Sequence, residues 1–190
     1  MEQYHRTNTF LSDALTLEAE KEIEKAVAEK KPFYLNMCHY AVHEPFETDE
    51  RFISHYTDPD KKQQARAFAT LIEGMDKSLG DILDKLEELG IAENTFIIFL
   101  GDNGGDAPLG GAAEYGSAAP FKGKKGSEYE GGCRIPCIIS WSQSNKENVY
   151  QKAYPVARNA IQTQMGTIMD IYPTVLSVAG VKAAKGHVLD

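Results

Sequence analysis

Apolar residues recur along this chain in two distinct periods. In residues 12–30, SDALTLEAEKEIEKAVAEK, Leu15, Ala19, Ile23, Ala26 and Val27 form a helical stripe behind a Ser-Asp cap, and Lys31-Pro32 ends it. From about Asp60 to Leu89 the spacing of three to four returns in Phe68, Leu71, Ile72, Met75, Leu79, Ile82, Leu83, Leu86 and Leu89, with Gly90 as the stop. Between and after these helices lie short apolar runs: FYLNMCHYAV (33–42), TFIIFL (95–100) and RIPCIISW (134–141), each read as a strand. MGTIMDIYPTVLSVAG (165–180) predicts a short strand, then a helix that starts near Asp170 and stops at Gly180. The polar SQSNKENVYQK reads as a surface loop or hairpin tip.

Helices alternating with apolar strands predict an α/β layered fold with a largely parallel sheet. Ligands of such sheets bind beyond the carboxyl ends of the strands. Two polar anomalies fall there: His43 after the first predicted strand and Asp102-Asn103 after the second.

Composition narrows the function classes. The chain has 190 residues, enough for one domain or a large part of a bigger one, and carries a net charge of -8. No Lys/Arg cluster offers the concentrated basic face that nucleic acid requires. No stretch approaches the roughly 20 apolar residues of a membrane span. The first residues lack the apolar centre of a signal peptide, so an export signal is expected outside this chain. Cys38, Cys133 and Cys137 show neither CxxC nor disulfide-scaffold spacing and are expected as buried thiols.

The candidate chemistry sits on loops. Asp102 and Asn103, on a backbone loosened by Gly101, Gly104 and Gly105, suit a hard cation such as calcium or magnesium, or an ordinary Asp-Asn-Gly turn. His43 suits general-acid or anion-binding work, or a plain loop histidine. His39 and His43 are four apart, a zinc spacing only on a helix, and they flank a strand end instead. FKGKKGSEYEGGCRIP (121–136) places Lys122, Lys124 and Lys125 on a glycine-rich loop, fit for sulfate or phosphate or simply solvated. GxxxxGK[ST], GxGxxG and GxSxG are absent. Glu130 and Arg134 read as a structural ion pair.

Taken in order, PFYLNMCHYAVHEPFE, IEGMDKSLGDILDKLEELGIAENTFIIFLGDNGG, FKGKKGSEYEGGCRIPCIISW and MDIYPTVLSVAGV resemble the sulfatase family of the alkaline-phosphatase-like superfamily, from about Phe10 to Asp190. The resemblance implies a layered α/β/α fold, of which residues 1–190 would be the central-to-late part of the catalytic domain, an incomplete domain. It implies a metal-dependent sulfuric ester hydrolase. Asp102 and Asn103 would be metal ligands, with calcium the usual ion and magnesium the alternative. Asp102 would also polarise the nucleophile. His43 would contact the ester's leaving-group oxygen, and Lys125 would bind the sulfate and stabilise the departing oxygen. Lys122 is a weaker substrate-binding candidate, as is Lys124.

The family's Cys/Ser-x-Pro-x-Arg segment, source of its formylglycine nucleophile, does not occur here, nor do the upstream aspartate pair and the Lys/His pair. They are expected upstream, so this chain alone is expected not to turn over a sulfate ester. The break at HVLD, where the family continues into a small C-terminal domain, fits the same expectation. The implied substrate is a small sulfate ester or a sulfated glycan, with a lean to bacterial carbohydrate sulfates, and the implied location of the parent is periplasmic or secreted. Loops 46–60, 104–121 and 142–164 would set substrate choice. Two alternatives stand: a phosphoryl or phosphonate hydrolase of the same fold, which would carry Asp-His and zinc at this strand end, and a non-catalytic binding module.

Overall fold

The first stripe folds as helix α1 (Leu11–Ala28) and the second as α2 (Gln63–Glu88). The computed structural model describes residues 2–106 and 116–186, which fall into two units dividing between Gln143 and Ser144. HVLD and part of the 104–121 loop lie outside the described residues. Both helices end as their sequences predict. Gly90, at φ +68°, takes the left-handed conformation that lets Ile91 N–H reach Leu86 C=O. Lys30, at φ 54°, does the same for α1, with Lys31 N–H donating to Ala26 C=O.

The apolar stripes meet. Ile23 of α1 and Leu86 of α2 are almost wholly buried with Ala19, Ile82 and Ala92, and Met37, Leu89, Ile91 and Ile97 pack around them. Each large aliphatic side chain removed from water here contributes roughly 1.5–3 kcal/mol. A polar seam also joins the helices: Thr16 donates to Ser12 C=O and hydrogen-bonds Ser78. Small hydroxyl residues bury well there because each has a partner. Asp49, buried in the loop before α2, is tied down by Arg51 and by Thr70.

Strands β1 (Phe96–Leu100) and β2 (Cys137–Trp141) are shorter than the runs that announced them. They pair antiparallel, Phe96 opposite Trp141 and Leu100 opposite Cys137, with the two rings edge to face at 5.2 Å. This differs from the predicted largely parallel sheet: among the described residues the sheet has these two strands only. The predicted strand at 33–42 is irregular, because a strand exists only by pairing and no described strand lies beside it. Its Phe33, Tyr34, Leu35 and Tyr40 are exposed. The expectation of buried thiols fails: Cys38 in the irregular 33–42 run, Cys133 at the end of a one-turn helix and Cys137 at the start of β2 are all free of disulfides and exposed.

A short helix, α3 (Glu130–Cys133), links the lysine loop to β2, and Glu130 pairs with Arg134 as expected. In the second unit the predicted surface loop contains helix α4 (Val149–Ala153). Asn148 caps it, its Oδ1 accepting from the N–H groups of Tyr150 and Gln151. The predicted strand before the last helix is a 3₁₀ turn, Ile168–Asp170, in which Asp170 accepts from Thr167 N–H at 2.6 Å. Helix α5 (Ile171–Val178) follows, and Gly180 at φ +66° closes it.

Candidate active site

β1 ends at Leu100, and the chain turns immediately into the loop that carries Asp102 and Asn103. Three backbone hydrogen bonds stitch this loop to the lysine loop: Gly101 N–H to Pro136 C=O at 3.2 Å, Gly104 N–H to Gly132 C=O at 3.0 Å, and Lys125 N–H to Gly105 C=O at 2.8 Å. The approach at Gly104 is so close that a Cβ there would collide with the backbone of Gly131 and Gly132. Gly131 is in turn pressed against Lys122 and Gly123, and Gly123 sits at φ +81°. Gly104 is therefore what lets the two backbones come into contact. The backbones of the loop that carries Asp102-Asn103 and of the lysine loop are in direct contact.

The side chains sort by their partners. Asn103 Nδ2 donates to Gly104 C=O at 2.8 Å, which fixes the amide and leaves its Oδ1 without a partner among the described residues. The exposed Asp102 carboxylate has no hydrogen bond or ion pair among the described residues. Two unengaged oxygens, carboxylate and amide, are hard donors of the kind calcium and magnesium take. They supply two ligands of the six to eight that calcium takes. Among the described residues no group of three or more His, Cys, Asp or Glu is placed to complete a metal site.

The three lysines differ. Lys124 Nζ pairs with Asp106 Oδ1 at 3.2 Å, and Lys122 Nζ lies 3.9 Å above the Tyr129 ring. Lys125 Nζ has no such partner among the described residues and is half-buried on the loop that faces Asp102-Asn103. Ser127 locks the loop, donating to Lys124 C=O at 2.7 Å and accepting from Lys124 N–H. Asp106 and Tyr129 were not singled out from the sequence. Asp106, four residues past Asp102, was readable only as one more polar loop residue.

His43 stands apart from these contacts. Its Nδ1 lies 3.0 Å from Glu44 C=O, and its ring meets Tyr40 edge-on at 5.8 Å. A carbonyl only accepts, so Nδ1 carries the proton and Nε2 is left for other use. His43 lines an open cleft with residues of the N-terminal turn, and no hydrogen bond or ion pair links it to the Asp102 or Lys125 loops. His39, four residues earlier, points inward: its Nε2 is 3.4 Å from Ser78 Oγ, its Nδ1 is buried without a partner, and burial lowers its pKa.

Comparison with known proteins shows which family the chain resembles. The chain is 32% identical over 180 residues to mouse N-acetylgalactosamine-6-sulfatase, a match covering 95% of this chain and 31% of that protein. It is 30% identical over 183 residues to human steryl-sulfatase, covering 95% and 28% respectively. Among solved structures, Ps i-CgsB in complex with k-i-k-neocarrahexaose superimposes with a TM-score of 0.76 at 27% identity, over 96% of this chain and 37% of that one. A sulfatase from Pseudoalteromonas sp. gives a TM-score of 0.67 at 28% identity, over 90% and 30%. The chain thus spans about a third of the length of the proteins it matches. With the Sulfatase family model also matching residues 2–181, the chain belongs to the sulfatase family.

Proposed function

We propose that this chain supplies the metal- and sulfate-facing loops of a sulfuric ester hydrolase that acts on sulfated glycans. The observation that carries this reading is the stitching of the loop carrying Asp102-Asn103 to the Lys125 loop, with Lys125 Nζ, unlike Lys122 and Lys124, having no partner among the described residues. The glycan assignment is supported by a relative named N-acetylgalactosamine-6-sulfatase and by a similar structure that holds k-i-k-neocarrahexaose. The parent would be periplasmic or secreted, and no helix among the described residues is long and apolar enough to cross a membrane. The layered, largely parallel sheet would belong to the complete catalytic domain, of which residues 1–190 are one part.

Cleaving a sulfate ester means breaking an S–O bond while charge grows on the departing oxygen. In this reading Asp102 and Asn103 Oδ1 would hold a calcium ion, with magnesium the alternative, and the remaining ligands would come from other parts of the parent. When bound, that ion supplies Lewis acidity to a sulfate oxygen. Lys125 holds the sulfate by its ammonium charge and stabilises the departing oxygen. Lys122 is the weaker sulfate contact, because its charge already rests on Tyr129. His43 donates from Nε2 to the leaving oxygen, which requires the imidazolium form because Nδ1 is committed to Glu44. The nucleophile, a formylglycine, lies in another part of the parent. This chain alone is therefore inactive.

The test is sulfate release by the full-length parent from sulfated oligosaccharides, with and without a calcium chelator, for the wild type and for Asp102→Asn. Chelator-sensitive turnover that the variant loses supports the reading. A parent that instead releases phosphate with zinc, or one in which Asp102→Asn keeps full turnover, overturns it.

A further inference from the structure

The wall that holds His43 has a second half that the chemistry above leaves unused. The cleft, about 630 Å³, is lined on one side by the turn from Tyr4 to Thr9 and on the other by the loop from Tyr40 to Glu47. That volume lies in the range of small-ligand sites. The turn is firmly built. Arg6 adopts φ 64°, a left-handed conformation that non-glycine residues enter at a cost and that clusters at ligand clamps. Holding it are Gln3 and Tyr4, both donating to Glu18 Oε1 at 2.7 Å, with Lys21 joining the same carboxylate. Within the turn, Thr7 Oγ1 donates to Tyr4 C=O at 2.7 Å and accepts from Thr9 N–H at 3.2 Å.

The same turn leaves other groups unused. The side chains of His5 and Asn8 on one wall, and of Glu47 on the other, have no partner among the described residues. Tyr40 adds an exposed aromatic ring. Imidazole and carboxamide both donate and accept, a carboxylate accepts, and an aromatic face takes apolar C–H groups. A saccharide ring presents that combination: hydroxyls that donate and accept around its rim and C–H groups on its faces. A flat apolar aryl or sterol group could pack on the apolar part of the lining, Phe10, Leu11 and Leu71, but would engage none of the donors and acceptors of His5, Asn8 and Glu47.

We infer that this cleft binds the saccharide portion of the sulfate ester, with His5, Asn8 and Glu47 as specificity-determining residues. The inference rests on the proposed role of His43: an ester whose leaving oxygen lies at His43 extends its sugar into the cleft that His43 lines. Preorganisation of the turn limits the ordering that binding would otherwise cost.

The experiment uses the full-length parent and two kinds of substrate, sulfated oligosaccharides of N-acetylgalactosamine 6-sulfate and carrageenan type, and 4-nitrophenyl sulfate. Asn8→Ala, His5→Ala and Glu47→Gln should each lower kcat/KM for the responsive oligosaccharide about tenfold more than for the aryl sulfate, mainly through KM, as loss of one or two substrate hydrogen bonds implies. Lys182→Ala, in the other unit, should change neither. Equal effects on the two substrates, within about twofold, overturn the inference while leaving the sulfatase reading intact. So does a wild type that cleaves only the aryl sulfate. A wild type that cleaves neither overturns the sulfatase reading, and this inference falls with it.

Discussion

Lys124 and Lys125 are adjacent in sequence and opposite in electrostatic situation. Lys124 Nζ lies 3.2 Å from Asp106 Oδ1 and 3.3 Å from the Asp106 carbonyl, whereas Lys125 Nζ has no such partner among the described residues. An ammonium already paired must give up its carboxylate to bind an anion; an unpaired one need not. In the full-length parent, Lys125→Ala should lower kcat/KM by about 10²–10³, the usual loss for one group that stabilises a developing oxyanion. Lys124→Ala should cost less than about tenfold, through looser anchoring of the loop. Comparable losses would show that the pairing with Asp106 does not distinguish the two lysines.

Gly104 and Gly105 offer a second pair of neighbours with unequal fates. A Cβ on Gly104 would enter the backbone of Gly131 and Gly132, while one on Gly105 meets nothing within 4 Å among the described residues. Backbone cannot rotate aside as a side chain can. Gly104→Ala should therefore pull the two loops apart, destabilising the protein by about 1–3 kcal/mol and reducing turnover with it. Gly105→Ala should stay within about 0.5 kcal/mol of the wild type. Urea denaturation of both variants, set beside sulfate release, decides it. A tolerated Gly104→Ala would mean that the loop contact is not as tight as drawn.

The contrast between these two glycines shows where the sequence was legible. Helices α1 and α2 could be read because each carries its own 3.6-residue pattern and its own stop, and Gly90 and Gly180 take the positive φ that their positions imply. Asp102-Asn103 stands out because a carboxylate and an amide directly follow an apolar strand, and the lysine loop because three lysines lie among glycines, although a plain turn and a solvated loop have the same local pattern. That Lys124 is spoken for by Asp106 depends on a contact across 18 residues, which no local pattern encodes. The strand at 33–42 was misread for a related reason: its composition is that of a strand, but pairing is a property of its neighbours, and none is present among the described residues. Helix α4 was overlooked although Asn148, with Gln151 three residues on, is a capping signature. The surrounding polarity hid it.

Asp49 and Arg51 make a third test. Burial pushes the Asp49 carboxyl up, but two side-chain hydrogen bonds and the backbone N–H from Arg51 outweigh it and hold its pKa below the ordinary value. With the folded value depressed, this contribution is present above the unfolded pKa of about 3.9 and is lost as pH falls through the folded value. Arg51→Ala leaves a buried carboxylate with weaker support and should cost about 1–3 kcal/mol at pH 7, the usual range for charged hydrogen bonds. The loss should shrink in acid, where Asp49 is protonated. Asp13→Ala, which removes only the outer partner of Arg51 at 2.8 Å, should cost less. Denaturation curves for both variants at pH 7 and pH 3 separate the two roles. An Arg51→Ala penalty unchanged at pH 3 would rule out the charge-based account.

His39 should give a pH dependence of the opposite kind from a salt-bridged histidine. Its Nε2 is near Ser78 Oγ at 3.4 Å, and its buried Nδ1 has no acceptor among the described residues, so protonation would create a buried N–H with nowhere among them to donate. Burial accordingly lowers the pKa of the ring below its ordinary value. The unfolded chain, with a histidine pKa of about 6.5, then takes up the proton first as pH falls. The unfolded state binds more protons in that window, so stability rises with pH there. The contribution is complete above about pH 6.5, declines as pH falls below it, and levels off beneath the folded value. His39→Gln keeps a polar group near Ser78 but cannot titrate. The stability difference between wild type and His39→Gln, taken from urea denaturation of the parent, should favour the wild type most at pH 7–8 and narrow towards pH 5. Carboxylate titrations common to both proteins cancel in that difference. A difference that stays flat with pH, or widens in acid, would mean that His39 is solvated in the folded protein or has an acceptor for Nδ1.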